Sequence, residues 1–340
     1  MIVHALFGRK ADAMVFVGPL IFAQACVVIG RHLGVGPEVG LASWLLFVVG
    51  IDVAHVWSTL WVSVLHGEQL RAHGLRFLGL AVGLYGLAAA TYFAWGAVGF
   101  WRAVAYIACF HFVRQQIGWV HLARSRAGEF DAFGARLDAA VAALLALEPL
   151  AYWHVHGRSF GWMTTGDFIT FSPGILLLIR VLLAAAGLLF VVREAARARG
   201  GTLHLGKLLV VVSTGLSWHW AIESSDNDFV FTAFNTTAHA APYVYLVATR
   251  SVPGSLARRS LDGARTAAVF LGILALAGLL EETAWDYLVW GERLFSGPPP
   301  WLRDLAPALV PLLVLPQLTH YALDAFLWRR QHRPSLRGTS

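Results

Sequence analysis

Charge is scarce in this chain. Asp, Glu, Lys and Arg make up 14% of its 340 residues, against about a quarter in ordinary soluble domains. No polar stretch of domain length exists, which excludes a cytoplasmic enzyme and a disordered chain. The two cysteines, Cys26 and Cys109, both lie in apolar runs. They form neither a disulfide framework nor a CxxC metal site, so a secreted disulfide scaffold is excluded as well. Only Lys10 and Lys207 are lysines, so the net charge of +6 comes from arginine. No basic stripe interleaved with aromatics accompanies it, and no nucleic-acid partner is expected. HExxH is absent, which argues against an intramembrane zinc protease of that type. No cleavable leader is expected, because the first apolar run is followed by another span.

What is abundant is apolar surface. Hydrophobic residues make up 57% of the chain, and a bilayer-spanning helix needs about 20 of them in a row. Hydropathy and polar punctuation mark segments near 13–30, 41–66, 75–96, 101–123, 137–153, 173–192, 206–222, 229–248, 266–281 and 304–328. The expectation is an all-α, polytopic integral membrane helix bundle of about ten transmembrane helices. It is read as one transmembrane domain, 1–340, with no internal repeat. The ninth segment is expected to stop at Glu281-Glu282, leaving Trp285–Trp290 as an interfacial stretch. With both termini cytoplasmic, nineteen basic residues fall on the cytoplasmic side and five on the other. Arg114 and Arg180 lie within spans. That asymmetry is the positive-inside pattern of a bacterial-type cytoplasmic membrane. Trp44, Trp95, Trp101, Trp153, Trp162, Trp285, Trp290 and Trp301 gather near outer span ends, with Trp328 at an inner one, as interfacial anchors do.

Fourteen histidines sit in this background. Ionisable residues inside a span are costly and are functional candidates. At about 1.5 Å per residue from the cytoplasmic end, His55 lies ~16 Å deep, His111 ~18 Å, His219 ~20 Å, His239 ~13 Å and His320 ~12 Å. Five histidines on five helices thus share one layer. Each has a polar companion one turn away: Asp52/His55, His111/Gln115, His219/Glu223, Asn235/His239 and His320/Asp324. Such spacings put both side chains on one helical face. In the second span Asp52, His55, Thr59 and His66 share an arc of about 60°. In the fourth, His111, Arg114, Gln115, Gly118 and His121 form a similar stripe. His4, His32, His73, His154, His156, His204 and His332 fall in loops or at helix ends, where solvation is their expected role.

Neutral imidazole is the commonest metal-ligating side chain, and a neighbouring carboxylate can share the metal or orient the ring. The candidate metal ligands are His55, His66, His111, His121, His219, Glu223, His239, His320 and Asp324. Arg114, Gln115 and Asp52 are candidates for substrate or proton handling beside them. Several imidazoles with carboxylates and no thiolate suit non-haem iron, as one ion or two, and suit zinc or copper less specifically. In kind, the chain is similar to membrane enzymes that collect histidines from several helices around iron. The HxxxH and HxxHH boxes of the fatty-acid desaturases and hydroxylases are nevertheless absent. The similarity implies a metal-dependent oxidoreductase, an oxygenase, desaturase or hydroxylase, acting on a membrane lipid or isoprenoid with an electron donor as partner. Two other classes stay open. One is a haem-binding electron-transfer or quinone-reacting protein; the other is a transporter with an intramembrane ion site. Two further readings concern charge. Arg180 is expected to pair with Glu148, and the run Glu223–Asp228 to form a loop with helix-capping Asp and Asn.

Overall fold

The structure is a computed structural model and describes residues 2–65, 67–157, 161, 167–251 and 260–327. His66, Trp162, Trp328, His332 and the basic residues of 329–337 lie outside the described residues. Within them the chain is nearly all helical. The helices are α1 (Arg9–His32), α2 (Leu41–Val62), α3 (Gly67–Arg126), α4 (Ala132–His156), α5 (Pro173–Arg199), α6 (Leu205–Glu223), α7 (Asp228–Ser251), α8 (Ala264–Trp290) and α9 (Ala306–Asp324). Among the described residues, seven of these are long and apolar enough to cross a membrane: α1, α2, α3, α5, α6, α8 and α9. Helices α4 and α7 are of similar length but more polar. They cover the fifth and eighth apolar segments of the sequence.

At 60 residues, α3 is about three times the length of ~20 residues that a bilayer span needs. Gly96 divides it, with φ of 68°, a left-handed conformation open to glycine. The gap between the third and fourth apolar segments corresponds to this break. Helix α5 turns Leu177, Leu178, Val181, Leu182, Leu188, Leu189, Val191 and Val192 outward. An apolar surface of that extent is a liability in water and a requirement in lipid. The long apolar helices mark the chain as a membrane protein.

Three findings depart from or add to the sequence expectations. Helix α8 does not stop at Glu281-Glu282; it runs on to Trp290, ending in a π-helical turn at Asp286–Trp290. The next loop closes on it, as the Asp286 carboxylate accepts the backbone N–H groups of Glu292, Arg293, Leu294 and Phe295. Trp44, Trp153 and Trp285 are buried in protein, whereas Trp95 and Trp301 are exposed. A short parallel pair, β1 (Ile2–His4) and β2 (Thr202–His204), joins the N-terminal arm to the residues before α6.

The chain divides into two compact units: Met1–Phe47 with Trp101–Pro242, and Val48–Phe100 with Tyr243–Ser340. The first is held by a charged network at the α3–α4 and α5–α6 connections. Arg124 donates to Glu129, Asp131 and Asp138; Arg193 donates to the same three acids. Arg197 pairs with Glu129 and Glu194, and Lys207 reaches Glu129, Asp138 and Glu194. Asp131 also caps α4 by accepting Gly134 N–H at 2.6 Å. That bond, together with Arg124 and Arg193, holds its carboxyl down at about 2. Arg124 and Lys207, which the sequence counts as loop charge, are buried.

In the second unit α2 packs against α8 and α9. Trp44–Val53 of α2 is π-helical, a form that concentrates at functional sites. Gly278 of α8 lies against it: a Cβ there would stand 2.7 Å from the Val49 carbonyl oxygen. Two turns of ordinary helix then carry His55 and Thr59 inward.

Candidate metal centre

Four of the five layer histidines are buried: His55, His111, His239 and His320. They fall as a pair in each unit. The apolar, helical surroundings and this histidine set are compatible with a membrane metal site.

The second unit holds His55 and His320, exposed by 1% and 0%. Their Nε2 atoms are 3.2 Å apart, with ring planes at 85°. The other nitrogen of His55, Nδ1, contacts the backbone carbonyl of Asp52. A carbonyl oxygen only accepts, so this nitrogen carries the proton and Nε2 presents a lone pair. The Asp52 carboxylate stands 3.6 Å from the same Nδ1. On the far side of His320, Nδ1 lies 2.6 Å from Thr59 Oγ1, and Thr59 Oγ1 lies 2.6 Å from Tyr243 Oη. Tyr243 donates to Asp324 at 2.5 Å. Asp324 is 3.7 Å from His320 Nδ1, so it stands beside the ring on the side away from His55.

The first unit holds His111 and His239, with ring centroids 5.3 Å apart and planes at 79°. Phe112 lies edge-on to His239 at 4.3 Å, and Gln115 donates to the His239 backbone carbonyl at 3.4 Å. Beside His239 is a water-sized cavity lined by Phe112, Gln116, Ser217, Trp218 and Asn235. Gln116 is fixed there by Thr214, which donates to its Oε1 at 2.9 Å.

The remaining candidates are placed elsewhere. His219 is 53% exposed and sits 3.4 Å from Glu223. Glu223 is bound by Arg180, which also donates to Glu148 at 2.5 Å, so the expected Arg180–Glu148 pair is present with a second acid added. Arg114 and His121 are exposed. Asn227 caps α7 by accepting Val230 N–H at 3.0 Å, as the loop reading expects. Glu129, Asp138 and Glu194 also come close enough to share a cation. Lys207 Nζ, 2.6–3.2 Å from all three, already supplies one.

Sequence reasoning did not single out Tyr243 or Gln116. Tyrosine in an apolar span reads as packing. Its signal is the spacing of one turn from His239 in the same segment. Comparison with protein-family models, with characterised proteins and with solved structures returns no match.

Proposed function

We propose that this protein is a membrane metalloenzyme whose ion is held by neutral imidazoles, and that it acts as a non-haem iron oxygenase, desaturase or hydroxylase. The observation that carries the reading is the His55–His320 pair. Two imidazoles about 2.05 Å from one ion stand roughly 2.9–3.4 Å apart when they occupy adjacent positions. The 3.2 Å separation lies in that interval. Two axial imidazoles on opposite faces of a haem iron stand about 4 Å apart with a macrocycle between them, which favours the non-haem form. Within the first unit, His111 and His239 are a second pair of proposed imidazole ligands, on the ground that both are buried with their rings 5.3 Å apart. Asp52, Asp324 and Gln115 serve as supporting groups.

An imidazole and carboxylate environment without thiolate suits iron, with zinc and copper next. Iron supplies oxygen activation, and the apolar surroundings suit a lipid or isoprenoid substrate that reaches the site through a bacterial-type cytoplasmic membrane. An electron donor is the implied partner. The test is mass spectrometry of membrane lipids and isoprenoids from cells expressing the protein or its His320→Ala variant. The reading expects oxygen-dependent species shifted by one oxygen atom or two hydrogens with the parent protein alone. Identical lipid profiles, with the protein iron-loaded in the membrane, contradict it.

A further inference from the structure

The short hydrogen bonds behind His320 form a file that links His320 Nδ1, Thr59 Oγ1, Tyr243 Oη and Asp324 Oδ1 in turn, at 2.6, 2.6 and 2.5 Å, with a longer 3.4 Å contact from Thr59 Oγ1 directly to Asp324 Oδ1. All four residues belong to the second unit. Three short contacts need three protons. A carboxylate only accepts, so the phenol proton points at Asp324. The tyrosine oxygen is then an acceptor toward Thr59, and the threonine proton points at it. Thr59 keeps a lone pair for His320, so the proton between them belongs to Nδ1. A neutral imidazole protonated at Nδ1 carries its lone pair on Nε2. That lone pair faces His55 Nε2, whose ring is set the same way by the Asp52 carbonyl. Two lone pairs 3.2 Å apart repel each other unless a cation sits between or beside them.

We propose that Thr59 and Tyr243, anchored by Asp324, are positioning residues that lock His320 in its Nδ1-protonated tautomer and so aim its Nε2, beside that of His55, at a metal ion. The proposal rests on the metal reading above and assigns Asp324 to the outer end of the file instead of to the ion. Residues that orient ligating histidines typically change metal affinity 10–100-fold when altered. A file of opposite polarity, starting from a protonated Asp324, would put the imidazole proton on Nε2 and block coordination.

Full-length protein in detergent is titrated with Co(II), read by its visible absorption, alongside ¹⁵N-histidine NMR of the metal-free form. Thr59→Val and Tyr243→Phe are expected to weaken cobalt binding about 10–100-fold, with Thr59→Ser restoring it. The NMR spectrum of the parent protein is expected to show His320 protonated at Nδ1, and that signature is lost in Thr59→Val. A proton on Nε2 of His320, or parental cobalt affinity in a folded Thr59→Val variant, overturns the proposal. His320→Ala separates the two levels. If it keeps parental cobalt binding, the metal reading fails; if it loses cobalt while Thr59→Val does not, only the positioning role fails.

Discussion

Replacing Asp138 with Asn isolates what charge balance contributes to the first unit. Asp138 is fully buried, and its carboxylate lies 2.6 Å from Arg124, 3.1 Å from Arg193 and 3.2 Å from Lys207. The acids Glu129, Asp131, Asp138 and Glu194 face the cations Arg124, Arg193, Arg197 and Lys207, equal numbers of each sign. Asp138→Asn keeps the shape and removes one negative charge, leaving a buried cation uncompensated. Breaking a buried pair from one side costs about 3–5 kcal/mol, most of it from the charge left behind. Pairing the change with Lys207→Met removes that charge. The double variant is therefore expected to be more stable than Asp138→Asn alone, with a coupling of about 0.5–3 kcal/mol. Thermal unfolding in detergent gives the order: parent highest, double variant next, Asp138→Asn lowest. A double variant that melts below Asp138→Asn would refute the charge-balance argument, as would an Asp138→Asn variant that melts with the parent.

Two further outcomes follow from local chemistry. Burial and the positive charges of Lys207, His4 and Arg124 hold the His204 imidazole down at about 4. The unfolded chain, with an ordinary histidine value of about 6.5, binds the extra proton first. Stability is thus expected to fall as pH drops from about 6.5 toward 4, and His204→Gln should flatten that part of a melting-temperature profile. Gly278→Ala places a methyl 2.7 Å from the Val49 carbonyl. Such overpacking costs about 1–3 kcal/mol and displaces the π segment ahead of His55, so metal affinity should fall with every ligand intact. Unchanged cobalt binding and melting temperature in that variant would contradict this coupling.

Much of the helical architecture is legible in the amino-acid order, because apolar length and breaking residues are local properties. The apolar segments correspond to helices, and the gap before Trp101 corresponds to the turn at Gly96. The π segments are not legible. One extra residue per turn is set by packing such as Gly278 against Val49, which no periodicity reveals. The charged network is hidden for a related reason. Arg124, Arg193 and Lys207 look like loop cations until folding brings them to Glu129 and Asp138. In the candidate site, depth arithmetic finds His55, His111, His239 and His320, but it misses His154 and His204, which were expected in solvent and are buried. It also selects His219, which faces outward on α6, since depth says nothing of which way a side chain turns. Tyr243 escapes notice because its role depends on the hydroxyl of Thr59 and the carboxylate of Asp324, both remote in sequence.

Metal content, measured on gently purified protein, tests the central claim most directly. Elemental analysis with an absorption spectrum is expected to find bound iron in the parent protein, no Soret band, and loss of the iron in folded His55→Ala and His320→Ala variants. A parent protein free of metal after gentle purification, or His55→Ala and His320→Ala variants that retain the parent's full metal content, would contradict the imidazole-held metal centre.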